Sequence, residues 1–240
     1  MANAVIIVPG SGLWGGIFEE MRWHLSAYMP REKIFIVPLS VLDWIGVPPS
    51  PERSTPRVMR ALHRTVEQVC RQYPNDTITI VGHSGGGTAA MIYLLGQPFE
   101  GECYPPVPVN RLLTLGSPFQ STERYGKIKS DFIAAHLKPE FFTRVNTISI
   151  AGKARCGNAA GSLAERSAFE FYNNTLRIER GQNGAVWGDG VVPLDACWLK
   201  GALNVMLEGV EHLPTPFGIW YGSRAAVQAW QKFLDTDSNP

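Results

Sequence analysis

Thr77-Ile78-Thr79-Ile80-Val81-Gly82-His83-Ser84-Gly85-Gly86-Gly87-Thr88 decides how the rest of the chain is read. Residues 77–81 are β-branched throughout and follow the turn pair Asn75-Asp76, so they read as a buried strand. Residues 88–95 are apolar and helix-compatible. Between them, Gly82-His83-Ser84-Gly85-Gly86 has glycines two before and two after a serine. That spacing suits a sharp strand-to-helix turn, where neighbouring side chains would collide and the serine hydroxyl stands clear of the sheet. A phosphate-cradling loop is the alternative for such glycines. The stretch lacks both the Lys-Ser/Thr pair of a P-loop and the G-x-G-x-x-G spacing of a dinucleotide fold.

Outward from this turn, strands and helices alternate. Residues 5–8 form an apolar run stopped by Pro9-Gly10, and residues 34–39 read as a second strand. Further strands are expected at 111–115, 147–151 and 204–207. Helices are expected over 18–28, where apolar residues fall at 18, 21, 25 and 28, and over 225–234. A proline-rich loop over 46–55 leads to a helix reaching about residue 73, with Thr55 as its cap and Pro56 in its first turn. The expected architecture is one α/β domain over 1–240: a mostly parallel, doubly wound sheet of about six strands with helices on both faces. Two long connections, 118–145 and 153–187, are candidates for lid or pocket insertions.

With 240 residues, 45% of them hydrophobic, the chain can bury one sizeable core. Lys and Arg total 22 against 21 Asp and Glu, which argues against nucleic acid as a partner. The cysteines at 70, 103, 156 and 197 show no metal or redox spacing and read as reduced thiols, a Cys156–Cys197 bridge being the one open pairing. No apolar run reaches transmembrane length, and Met1-Ala2-Asn3-Ala4 opens no signal or transit peptide, so a cytoplasmic protein is expected. Peripheral membrane contact stays open. No metal or other cofactor is implied, because no H-E-x-x-H or paired ligand spacing occurs.

A serine hydroxyl needs a base to become a nucleophile, and the base needs an acid to orient it. In folds with a serine on such a turn the chain order is serine, acid, histidine. His24 and His63 precede Ser84, His83 is inside the turn, and His136 comes before the strand expected to carry the acid. His212, in a loop past the last strand, is left as the base. Asp189 is the preferred acid because glycines on both sides free its loop, although an aspartate there can also simply cap its own turn. Asp195 is the fallback. An oxyanion hole would combine the N–H of Gly85 with that of Ser11, Gly12 being a close second. Leu13 and Trp14 are candidate acyl contacts or plain core. The aromatics at 119, 125, 132, 141, 142, 169, 171 and 172 are candidates for an acyl pocket, with core packing the commoner role.

Taken together, Val8-Pro9-Gly10, the serine turn, Leu115-Gly116-Ser117-Pro118, Asp189-Gly190-Val191-Val192-Pro193 and His212 resemble the α/β-hydrolase superfamily, in its lipase-like branch with the GPI inositol-deacylases. Trp187-Gly188, Glu208-Gly209-Val210-Glu211, Asp43-Trp44 and Trp220-Tyr221-Gly222-Ser223 are similar to hydrolases of cyanobacteria and plant plastids. The chain departs from larger members in opening at the strand before the oxyanion loop, and it shows no plastid leader, which favours a bacterial, cyanobacterial-type origin. The resemblance implies a serine esterase or lipase acting on a small-molecule ester, acyl lipids included. Thioester cleavage, acyl transfer, or a catalytically silent binding protein on the same fold are the alternatives.

Overall fold

The computed structural model describes residues 4–45, 49–176, 184–216 and 218–234. Residues 46–48 of the expected proline-rich loop and 177–183 of the second long connection lie outside that set.

Six parallel strands form the central sheet. They are β1 (Ala4–Val8), β2 (Ile34–Ile36), β3 (Ile78–His83), β4 (Val109–Leu115), β5 (Asn146–Lys153) and β8 (Leu203–Glu208), in the order β2-β1-β3-β4-β5-β8. Two short pairs flank it: β6 (Arg155–Cys156) runs antiparallel to β7 (Trp187–Gly188), and β9 (Val210–Glu211) runs parallel to β10 (Ile219–Trp220). Because strand side chains alternate between faces, β1 feeds two cores. Ala4, Ile6 and Val8 pack with α3 (Pro51–Gln72) and α4 (Gly85–Leu95). Val5 and Ile7 pack with α1 (Glu19–Leu25) and α8 (Arg224–Trp230). Burial on both faces explains why β1 and β3 read as continuous apolar runs.

The described strands lie where the sequence places them, to within a few residues. Strand β2 ends early, at Ile36, because Pro38 has no N–H to offer the ladder and Leu39 N turns back to Val37 O. Helix α3 starts a turn and more before the expected cap. Ser50 holds an extended backbone and its hydroxyl accepts from Arg53 N at 3.2 Å, with Pro51 at the first helical position. Pro56 therefore lies inside the helix rather than opening it. The five residues of α2 (Val41–Ile45) are too few to show a period in the sequence. The 118–145 connection folds into α5 (Arg124–His136) and α6 (Pro139–Arg144), and the 153–187 connection carries α7 (Leu163–Leu176). The four cysteines are free thiols, with Cys197 buried.

Helix α4 is buried on every side from Gly85 to Leu94, which accounts for its lack of any polar stripe. It approaches β1 so closely that a Cβ on Gly86 would stand 2.4 Å from Pro9 O and 2.5 Å from Val8 O. Both obstacles are backbone, so neither can rotate away. Gly86→Ala should therefore destabilise the fold by about 2 kcal/mol or more, lowering the thermal midpoint by roughly 4–8 °C in a chain of this size. A thermal unfolding curve matching the parent's would show that β1 and α4 are not packed this tightly.

Candidate active site

The loops after β1, β3, β4, β5 and β8 all leave the carboxyl edge of the sheet, the edge at which open parallel sheets place ligands. At the centre, Ser84 has φ 51° and ψ −129°. It is one of two non-glycine residues with positive φ among those described, and such a conformation costs on the order of 1–3 kcal/mol. Its N–H donates to Leu115 O at 2.8 Å, and Gly87 N–H donates to Ser84 O at 3.1 Å. The strain is thus pinned from β4 on one side and α4 on the other.

Asp189 is 2% exposed and its carboxylate accepts four hydrogen bonds. Oδ1 takes Val191 N at 3.0 Å and Val192 N at 2.7 Å. Oδ2 takes His212 Nδ1 at 2.7 Å and the Tyr221 hydroxyl at 2.9 Å. One oxygen caps its own turn while the other accepts from the histidine ring. His212 is 4% exposed, and its backbone N–H also donates to Asp189 O at 2.8 Å. With Nδ1–H given to the carboxylate, the free lone pair of the neutral ring falls on Nε2. Asp195, in the 3-10 turn Leu194–Cys197, is exposed, and the bond to His212 belongs to Asp189.

Three residues whose roles were not read from the sequence hold this arrangement. His83 is fully buried; its Nε2 donates to His212 O at 3.0 Å, and the two rings lie 4.6 Å apart. The serine turn and the His212 loop are thereby tied together. Burial first, then the neighbouring His212, pushes the His83 pKa well below the usual imidazole value, so it is a neutral strut. Tyr221 accepts from Gly152 N at 2.7 Å while donating to Asp189. Burial and then the Asp189 charge push its phenol well up, which keeps it a donor. Tyr172 accepts from Gly190 N at 2.7 Å and donates to Arg155 O at 3.1 Å, bracing the acid loop from α7. Gly116, with φ 59°, leaves room for the carboxylate: a Cβ there would stand 2.6 Å from Asp189 Oδ2.

Ser11 and Gly85 adjoin. The Ser11 hydroxyl lies 2.0 Å from where a Cβ on Gly85 would stand. Leu13 is half-buried against the core beneath α1 and α8, and Trp14 is 60% exposed with its ring over Gly16. Of the aromatics, Phe119 and Phe142 line an apolar cavity of about 680 Å³ with Ile133, Leu137, Trp198 and Leu199. Phe132 packs on Phe99, and Phe141 and Tyr172 are buried.

An all-parallel sheet with a strained serine between β3 and α4, and an acid and a histidine on later loops of the same edge, has the α/β-hydrolase fold. Residues 52–146 match the model of a family described as "Alpha/beta hydrolase of unknown function (DUF915)", a span holding Ser84 but neither Asp189 nor His212. Among solved structures, the lin2722 gene product of Listeria innocua is similar at a TM-score of 0.55 and 15% identity, covering 100% of this chain and 96% of that one. Phospholipase PlaB of Legionella pneumophila is similar at 0.58 and 14%, over 94% of this chain; the match spans only 57% of PlaB. A search of curated proteins gives no match. No helix among the described residues is long and apolar enough to cross a membrane.

Tyr221→Phe should lower unfolding stability by about 1–3 kcal/mol, since it leaves Gly152 N–H buried without its acceptor and removes one donor from Asp189. Denaturant unfolding of the variant beside the parent measures this. An unchanged midpoint and slope would show that the phenol does not bear on the acid loop.

Proposed function

We propose that this protein is a serine hydrolase that cleaves carboxylic esters, with Ser84 as nucleophile, His212 as base and Asp189 as the acid that orients it. The observation that carries this reading is the buried His212–Asp189 bond on the loop that His83 fastens to the strained Ser84 turn. In this scheme His212 Nε2 takes the Ser84 proton as Oγ bonds to the ester carbonyl carbon. The Asp189 carboxylate stabilises the resulting imidazolium, which then protonates the departing alkoxide. Water, activated by the same nitrogen, releases the acyl group and restores the serine. The Gly85 and Ser11 N–H groups are the donors proposed for the oxyanion.

An acyl lipid is the substrate class to try first. PlaB, one of the similar structures, is named a phospholipase. The apolar cavity lined by Phe119, Ile133 and Phe142 is large enough for an alkyl chain, and its wall includes Ser130, next to Lys129 on α5, whose Nζ lies beside Gly85. Leu13 and Trp14, at the mouth of the oxyanion loop, are proposed as further contacts. A series of p-nitrophenyl esters of rising chain length should show kcat/KM climbing beyond acetate. A monotonic fall from acetate upward would remove the lipid reading.

A fluorophosphonate probe should label the protein at Ser84, and Ser84→Ala should abolish both labelling and ester hydrolysis while staying folded. Asp189→Asn keeps the turn's shape but removes the charge behind the imidazolium, so turnover should fall by roughly 10²–10⁴. Asp195→Asn should stay close to the parent. Wild-type turnover in Ser84→Ala, or loss in Asp195→Asn beside a healthy Asp189→Asn, would refute the assignment.

A further inference from the structure

Lys129 sits on α5, is 7% exposed, and plays no part in the scheme above. Its Nζ lies 3.2 Å from the point a Cβ on Gly85 would occupy, the same point that the Ser11 hydroxyl approaches to 2.0 Å. The ammonium therefore faces the junction of the two backbone segments proposed to bind the oxyanion. Among the described residues it has neither a hydrogen bond nor an ion pair. The Trp44 ring, 5.9 Å away, offers only its face. Glu123, at the head of the same helix, spends its carboxylate on Tyr125 N and Gly126 N, both at 2.9 Å. A largely buried cation without a protein acceptor is unfavourable, and the fold keeps it where a negative charge would form during ester cleavage.

We propose that Lys129 is a catalytic residue, a charged third donor to the oxyanion beside the N–H groups of Gly85 and Ser11. The inference rests on Ser84 being the nucleophile. When Ser84 Oγ bonds to the carbonyl carbon, the C=O π pair moves onto oxygen and the serine proton goes to His212 Nε2. Lys129 donates a hydrogen bond to that oxygen and keeps its own proton. When the C–O bond to the leaving group breaks, the oxygen pair re-forms the carbonyl and the ammonium again has no protein acceptor. A charge-assisted bond to the developing oxyanion favours the transition state over the neutral ester, so the gain falls on kcat rather than KM.

The same burial gives the step a pH signature. Burial lowers the Lys129 pKa to about 8, with Glu123 opposing the shift. Its own helix also carries Arg124, His136 and the Lys127–Asp131 pair; α2 carries Asp43, paired with Arg57 on α3, and α3 has further charges from Glu52 to Arg71. Neither pair contributes to the shift, and α4 carries no charge. The ammonium is present below about 8 and lost above it, so kcat should fall as pH rises through that value.

Lys129→Met and Lys129→Gln should cut kcat on a neutral ester such as p-nitrophenyl butyrate by roughly 10²–10³, with KM little changed, and should abolish the alkaline fall. Wild-type kcat that stays level from pH 7 up through the ordinary lysine range overturns the proposal even if neither variant folds. So does full kcat in a folded variant, or a loss confined to the KM of an anionic ester, which would make Lys129 a substrate-charge site. Fluorophosphonate labelling separates this from the underlying reading. Labelled Ser84 with an indifferent Lys129 removes only the lysine's role, whereas unlabelled Ser84 removes both.

Discussion

The Asp189 carboxylate is the interaction on which the arrangement depends. It is a buried acidic group with four donors aimed at it: two N–H groups of its own turn, a ring nitrogen from the loop after β9, and a phenol from the segment after β10. Buried carboxylates are tolerated when their lone pairs are filled, and here the filling draws three stretches of chain together. The Tyr221 hydroxyl passes the restraint on to β5 through Gly152 N. Cys197, also buried, is kept a thiol by burial first and then by the charge of the same aspartate. The histidine ring is consequently held in one orientation by its partner.

The serine turn is the second constraint, and it is a matter of sterics rather than charge. Ser84 holds a backbone conformation that L-residues avoid, and it persists because β3, β4 and α4 are too well packed to relax. The cost is local, while the support comes from two strands of the central sheet and the helix packed on them. His83 joins the two constraints, with one ring nitrogen on the His212 carbonyl and the ring itself against Phe18, Trp220 and Tyr221.

Much of this could be read from the chain alone, for identifiable reasons. Strands buried on both faces announce themselves as apolar, often β-branched runs, so β1 and β3 were legible, and β4 through its leucines. Ser84, Asp189 and His212 were singled out from the residue types and chain order that the expected chemistry would require, and the fold brings Asp189 and His212 into contact. The start of α3 was misread because two Ser/Thr-Pro pairs, Ser50-Pro51 and Thr55-Pro56, carry the same capping signal, and only the tertiary fold selects the first. Lys129, Tyr221 and His83 gave no local signal. A lysine on a helix ordinarily marks a solvated face, and only the packing of α5 against α4 turns this one inward. Tyr221 meets Asp189 across 32 residues of chain, a contact that no periodicity encodes.

The second face of the sheet is closed by distant parts of the chain. Trp220 donates through its indole nitrogen to Glu20, 200 residues earlier, and α8 packs on α1 over Val5 and Ile7. As the chain leaves the ribosome, β1 to β5 and the helices on the first face can assemble. The apolar underside of β1 and α1 then stays uncovered until Trp220 and Trp230 have been synthesised. Contacts so far apart in sequence slow folding and lengthen the time during which such a surface is open to aggregation or to a chaperone. The element that ends this exposure also brings Tyr221 to Asp189, so the chain acquires its braced acid and its protected surface in the same late step.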